Sequence, residues 1–149
     1  MKDGEKEELI RMTVASYIQK ATALIGVPRK VGGNQFRHMM ATFAILIDYH
    51  YTNHVLLKAS LIHDLFEDVT ETDRDSITRL DHDGFKVVAL VDEVTRRPQE
   101  TKIAYLEKIL KNKGYTDKNW ITKEFPGENH SEKAWCKRFE IPVLFLLGK

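Results

Sequence analysis

The sequence predicts an all-α fold, a single-domain helical bundle, from three observations. Apolar residues recur at three-to-four spacing through most of the chain before Asn112. Few segments alternate with the period of two that a half-buried strand requires. The 149 residues, 42% hydrophobic and 30% charged, can bury about two-thirds of their unfolded surface around one core without a disulfide or structural metal.

Ile10, Val14, Tyr17, Ile18, Ala21, Leu24 and Ile25 hold one helical stripe, which predicts a helix from about Glu5 to Ile25, ended at Gly26-Val27-Pro28. The stretch from Arg29 to Gln35 carries paired glycines and two cations. It reads as a loop that could approach a phosphate or a base closely, or as a plain interhelical connection. Met40, Phe43, Ala44, Leu46 and Ile47 predict a second helix from Phe36 to Tyr49, with His38 near its start. A central helix is expected from His54 to Val69, followed by a turn and cap at Thr70 to Asp73 and a short helix near Ser76 to Leu80. After the break at Asp81-His82-Asp83-Gly84, a helix is predicted over Phe85 to Thr95, although its valines would also suit a strand. Pro98 separates it from a last helix over Thr101 to Leu110.

Beyond that point the chain changes character. Both tryptophans, the single cysteine and two of the four prolines fall after Gly114, where helical periodicity fades. The expected organisation is therefore a helical domain over 1–111 and a divergent tail over 112–149. A frameshift or recombination near 112–120 would produce such a break, and a helix with an Ala-Asp-Arg-like segment recovered in another reading frame would reveal it.

A formal net charge of +1 argues against disorder and against a broad nucleic-acid-binding face, so a small partner is expected. Cys136 alone allows no internal disulfide and suits a reducing compartment; the cytoplasm is the expected location. The opening residues lack the apolar core of a signal peptide, and no apolar run is long enough to span a bilayer.

The chemistry-bearing segment is His63-Asp64-Leu65-Phe66-Glu67-Asp68. On a continuous helix these four ionisable residues fall within an arc of roughly 140°, opposite Leu61, Ile62, Leu65, Phe66 and Val69. Adjacent His63 and Asp64 could take neighbouring positions on one metal ion, while carboxylates one turn later reach toward water. The same pattern also describes an amphipathic helix with a solvated face.

Arg29-Lys30, Gly33, His38, the His63 to Asp68 segment and Leu90-Val91-Asp92-Glu93-Val94-Thr95-Arg96, in this order, resemble the HD-type hydrolase domain of the RelA/SpoT family. The resemblance runs from about Arg29 to about Leu110. It implies an all-helical HD-type bundle and a metal-dependent phosphohydrolase acting on a nucleotide, most simply the removal of the 3′-pyrophosphate from guanosine tetra- or pentaphosphate. His38, His63 and Asp64 would be metal ligands, with Mn2+ as the expected ion. Glu67 and Asp68 would be the catalytic acids that orient water and manage the leaving-group proton, and Arg29 and Lys30 would bind substrate. Asp92 and Thr95 would help shape the pocket; Asp92 could equally be a cap or the ion-pair partner of Arg96 or Arg97.

The family's fourth ligand is an aspartate in a Lys-x-x-Ala-Asp-Arg-like segment of a later helix, and no such segment occurs here. Asp117, Glu124 or His130 would have to serve as a substitute ligand from the tail. The alternative function is accordingly a nucleotide-binding or regulatory module without full catalytic power.

Overall fold

Helices dominate because most of the apolar stripes read from the sequence find something to pack against. The computed structural model describes residues 1–122, 125, 141, 144 and 145. Among the described residues the fold is all-α, without a sheet; the one β feature is an isolated antiparallel bridge between Pro28 and Asn34. No described helix is long and apolar enough to cross a membrane. The chain divides into two compact units, Met1–Gln99 and Glu100–Lys149, a division earlier than the expected composition break at 111/112. Most of the tail, including Glu124, His130, Trp135 and Cys136, lies outside the described residues.

The first unit contains α1 (Asp3–Arg11), α2 (Ala15–Ala21) continued by a 3-10 turn at Thr22–Leu24, α3 (Gln35–Asp48), α4 (His54–Ser60), α5 (Leu65–Asp68), α6 (Arg74–Thr78) and α7 (Gly84–Val94). The second unit opens with α8 (Lys102–Asn112). Side-chain caps fix several starts: Asn34 Oδ1 accepts from the Arg37 amide at 2.9 Å, Asn53 Oδ1 from Leu56 at 2.9 Å and Thr101 Oγ1 from Ala104 at 3.1 Å. The valine-rich segment is helical, with Val87, Val88 and Val91 buried on the inner face of α7.

Two expectations need correction. The predicted helix from Glu5 to Ile25 is broken at Met12-Thr13-Val14, where Met12 is extended (φ −73°, ψ 132°) and adjacent β-branched residues weaken helix propensity. Ile10, placed on the apolar stripe, is 82% exposed, and α1 buries no residue at all. The predicted central helix from His54 to Val69 is also broken, at Leu61 to Asp64, where bonds of the i to i+3 type replace the α pattern. The reason is local: His63 Nδ1–H donates to Ser60 O at 2.9 Å, taking the carbonyl that the Asp64 amide would have used in a continuous helix.

The core gathers Tyr17, Leu24, Met39, Leu61, Ile62, Leu65, Ile77, Val87 and Val91, all essentially inaccessible. Each such aliphatic side chain contributes about 1.5–3 kcal/mol relative to exposure. Among them sits one ammonium group. Lys58 on α4 is 1% exposed and its Nζ lies 2.9 Å from Asp81 Oδ2 and 2.6 Å from Asp83 Oδ2, while the Tyr17 hydroxyl donates to Asp81 Oδ1 at 2.9 Å. This network ties α4 and α2 to the connection leading into α7.

Gly84 opens α7 against the end of α6. A Cβ there would lie 2.3 Å from Thr78 O and 2.7 Å from Ile77 O, both backbone atoms. Gly84→Ala should therefore force the helices apart and cost about 2–3 kcal/mol in denaturant unfolding; a change within experimental error would contradict this packing.

Candidate metal centre

His38 comes from the second turn of α3, and His63 and Asp64 from the turn between α4 and α5. One nitrogen from each histidine and one Asp64 oxygen all lie within 4.8 Å of one another. Asp64 Oδ2 is 3.8 Å from His38 Nε2, Asp64 Oδ1 is 3.5 Å from His63 Nε2, and the two imidazole rings meet edge to face with centroids 5.1 Å apart. The Asp64 separations exceed ordinary hydrogen-bond lengths, so the three groups converge without satisfying one another directly.

The break in the central helix builds this arrangement. The bond from His63 Nδ1–H to Ser60 O fixes the tautomer and leaves Nε2 as the acceptor facing Asp64, the orientation that metal-binding histidines commonly receive from a backbone carbonyl. Asp64 is the N-cap residue of α5, yet its side chain makes no capping bond. Its carboxylate is turned to the histidines instead. His38's proton affinity is lowered below the ordinary histidine value, first by burial, then by the nearby Arg29 and His63 charges, against an opposing pull from Asp64. That lowering favours the uncharged ring, which can offer a lone pair. All three side chains retain about a quarter of their exposure, so a small ligand can reach them.

Two imidazole nitrogens and one carboxylate oxygen suit manganese, iron or zinc, whose bonds of about 2.0–2.2 Å place neighbouring donors roughly 3–3.5 Å apart. The Asp64 separations of 3.5 and 3.8 Å run through different oxygens, and the three donors as a set lie within 4.8 Å, wider than a bound ion would hold them. No further histidine, cysteine, aspartate or glutamate joins the three among the described residues. Asp117 belongs to the second unit, and Glu124 and His130 lie outside the described residues.

Glu67 and Asp68 lie one turn further along, on α5, and each carboxylate is already held. Glu67 Oε1 accepts from the Arg96 amide, and Asp68 Oδ2 accepts from Gln35 Nε2 at 2.7 Å. The other amide atom, Gln35 Oε1, is buried without a hydrogen-bond partner. Both acids line a hollow of about 490 Å³ together with Arg74, Arg96 and Arg97. Asp92, expected to pair with Arg96 or Arg97, pairs instead with Arg74 at 3.0 Å, and the Arg74 guanidinium lies 4.2 Å from the Phe66 ring centre. Thr95 is buried and its hydroxyl donates to Val91 O at 2.7 Å, which makes it part of the end of α7.

Arg29 lines a second hollow, of about 240 Å³, with Asn34, Arg37 and His38; Lys30 is exposed and does not line it. Arg37, which the sequence motif does not single out, lines the same hollow. Its adjacency to His38 was visible, but on a regular helix neighbours diverge by roughly 100° and gave no reason to expect a shared hollow. A second acidic group, Asp81, His82 and Asp83, also meets the geometric requirement for a cation. Lys58 already supplies that cation.

No family model and no curated protein matches this chain.

Proposed function

We propose that this protein is a metal-dependent phosphohydrolase acting on a nucleotide, with guanosine tetra- or pentaphosphate as the substrate and 3′-pyrophosphate as the group removed. The observation that supports it most is the convergence of His38, His63 and Asp64 from separate elements, with His63 set by the Ser60 carbonyl. Mn2+ held there would supply Lewis acidity and lower the pKa of water at the site.

The protein's own groups do the rest. His38 and His63 offer imidazole nitrogens and Asp64 a carboxylate oxygen as donors. Glu67 and Asp68 are anchored through one oxygen each, which leaves Glu67 Oε2 and Asp68 Oδ1 to accept a proton from water or return one to the leaving phosphate. Arg29 lies beside His38, where its guanidinium can oppose phosphate charge. Lys30 does not line that hollow and is left without a part in it.

A three-donor set without a fourth among the described residues also supports the alternative of a nucleotide-binding or regulatory module. The two are separated by measuring manganese stoichiometry together with pyrophosphate release from guanosine tetraphosphate. One bound manganese with release abolished in Glu67→Gln identifies the enzyme. Nucleotide binding without turnover identifies the module, and absence of both removes the proposal. Glu67→Gln should retain manganese while losing at least about 100-fold in turnover, since it preserves shape but cannot take up a proton.

A further inference from the structure

We propose that Arg37, together with Arg29, forms a phosphate-binding wall beside the His38–His63–Asp64 cluster, in the role that the family resemblance implied for Lys30; this deepens the phosphohydrolase reading and rests on it for the identity of the ligand. The wall is made by a tight hairpin. The Arg29 amide donates to Gly33 O at 3.1 Å and the Gly32 amide to Arg29 O at 3.1 Å, with Gly32 and Gly33 at φ of 91° and 76° that side chains rarely adopt. The hairpin brings Arg29 back toward the start of α3.

From α3, Arg37 folds over the same hairpin. A Cβ built on Gly33 would lie 3.6 Å from both Cδ and Nη1 of Arg37, so the guanidinium rests close to the bare backbone of the glycine. Arg29, Arg37 and His38 thus border one hollow of about 240 Å³ that no carboxylate lines, and neither arginine has a carboxylate partner among the described residues. The contrast with the larger hollow is clear, because its arginines share the lining with Glu67 and Asp68.

Size and charge together identify the ligand class. Whole small-molecule sites usually occupy about 300–1,000 Å³, so this smaller hollow suits a phosphoryl or pyrophosphoryl group with the nucleoside outside it. Planar guanidinium groups offer paired donors that match phosphate oxygens, which an ammonium on a flexible stem does not. His38 links the hollow to the cluster, so an anion held by the two arginines would present its bridging bond to the same side as the metal ligands.

The test is calorimetric titration of inorganic pyrophosphate into the metal-free full chain, with circular dichroism confirming that each variant is folded. Saturable binding is expected for the wild type, weakened roughly tenfold or more, equivalent to about 1.4 kcal/mol, in Arg37→Gln. Arg37→Lys should recover part of it. Lys30→Gln should bind within about twofold of wild type. No saturable binding by the folded wild type, equal binding by Arg37→Gln, or an equal loss in Lys30→Gln overturns the proposal. A parallel manganese titration keeps the two ideas apart. Manganese bound while pyrophosphate ignores Arg37 overturns the wall alone, whereas pyrophosphate held through Arg37 with no manganese bound supports the wall and overturns the hydrolase.

Discussion

Replacing Asp64 with alanine should abolish metal-dependent turnover and weaken manganese binding by more than about 100-fold, because even groups that merely support a ligand typically account for about 10–100-fold. Fold should survive the change. Asp64 is about a quarter exposed, makes no capping bond and stands in a turn whose backbone bonds do not use its side chain. The variant therefore separates chemistry from folding, with circular dichroism as the control. Asp64→Asn keeps an oxygen but removes the charge, and should fall between wild type and alanine in manganese affinity. Equal manganese binding by all three proteins would show that any bound ion lies elsewhere.

The largest effect on stability is expected at Lys58. Lys58→Met removes the ammonium from a site that is 1% exposed and leaves Asp81 and Asp83 facing each other with only the exposed His82 ring beside Asp83. Breaking a buried ion network in this way typically costs about 3–5 kcal/mol, or a fall in Tm on the order of 10 °C for a protein of this size. Adding Asp83→Asn and Asp81→Asn to Lys58→Met should recover much of the loss, since the penalty is mainly that of stranded charge. A single Lys58→Met variant as stable as wild type would mean that the network is solvated.

The same network sets a pH window. Burial alone would raise Asp81's proton affinity, but hydrogen bonds from Lys58 and Tyr17 outweigh it and hold the carboxyl below its ordinary value. For Lys58, burial is opposed by the bonds to Asp83 and Asp81, and the balance lies above the ordinary lysine value. Burial and the bond to Asp81 likewise push the Tyr17 phenol upward. Asp81 therefore contributes stability that is fully present above the ordinary aspartate range and is lost as pH falls through its depressed folded value. Lys58 contributes stability present below the ordinary lysine range and lost as pH rises through its elevated one. Stability to urea from this network should be level across the neutral range and decline at both extremes. Asp81→Asn should remove its share of the acid-side decline.

The fold class was legible because helical periodicity and capping agree: α3 and α8 begin at Asn34 and Thr101 as side-chain caps. The two long helices that turned out broken show what periodicity misses. Apolar spacing runs through Met12 to Val14 and through Leu61 to Asp64 alike, but a break costs the pattern nothing when the residues beyond it resume the same face. At the second break a histidine side chain takes a backbone carbonyl, and composition does not display that competition. Lys58 was equally hidden. It reads as an ordinary helix cation, and its partners read as turn residues after α6, because their meeting depends on a separation of 23 and 25 positions along the chain.

For the candidate site, the family resemblance grouped His38, His63 and Asp64, and the structure brings these three side chains near one another, through an interrupted helix in place of the continuous arc expected. The arc also placed Glu67 and Asp68 beside the histidines. Their actual partners, the Arg96 amide and Gln35, come from distant segments that no local pattern relates to α5.

The most direct test of the central claim, that the two histidines and the aspartate grip one cation, is pulsed electron paramagnetic resonance on the manganese-loaded full chain. Nitrogen couplings from two imidazoles are predicted, one disappearing in His38→Gln and the other in His63→Gln. Bound manganese whose spectrum shows no imidazole nitrogen, or keeps both couplings in either variant, would contradict it.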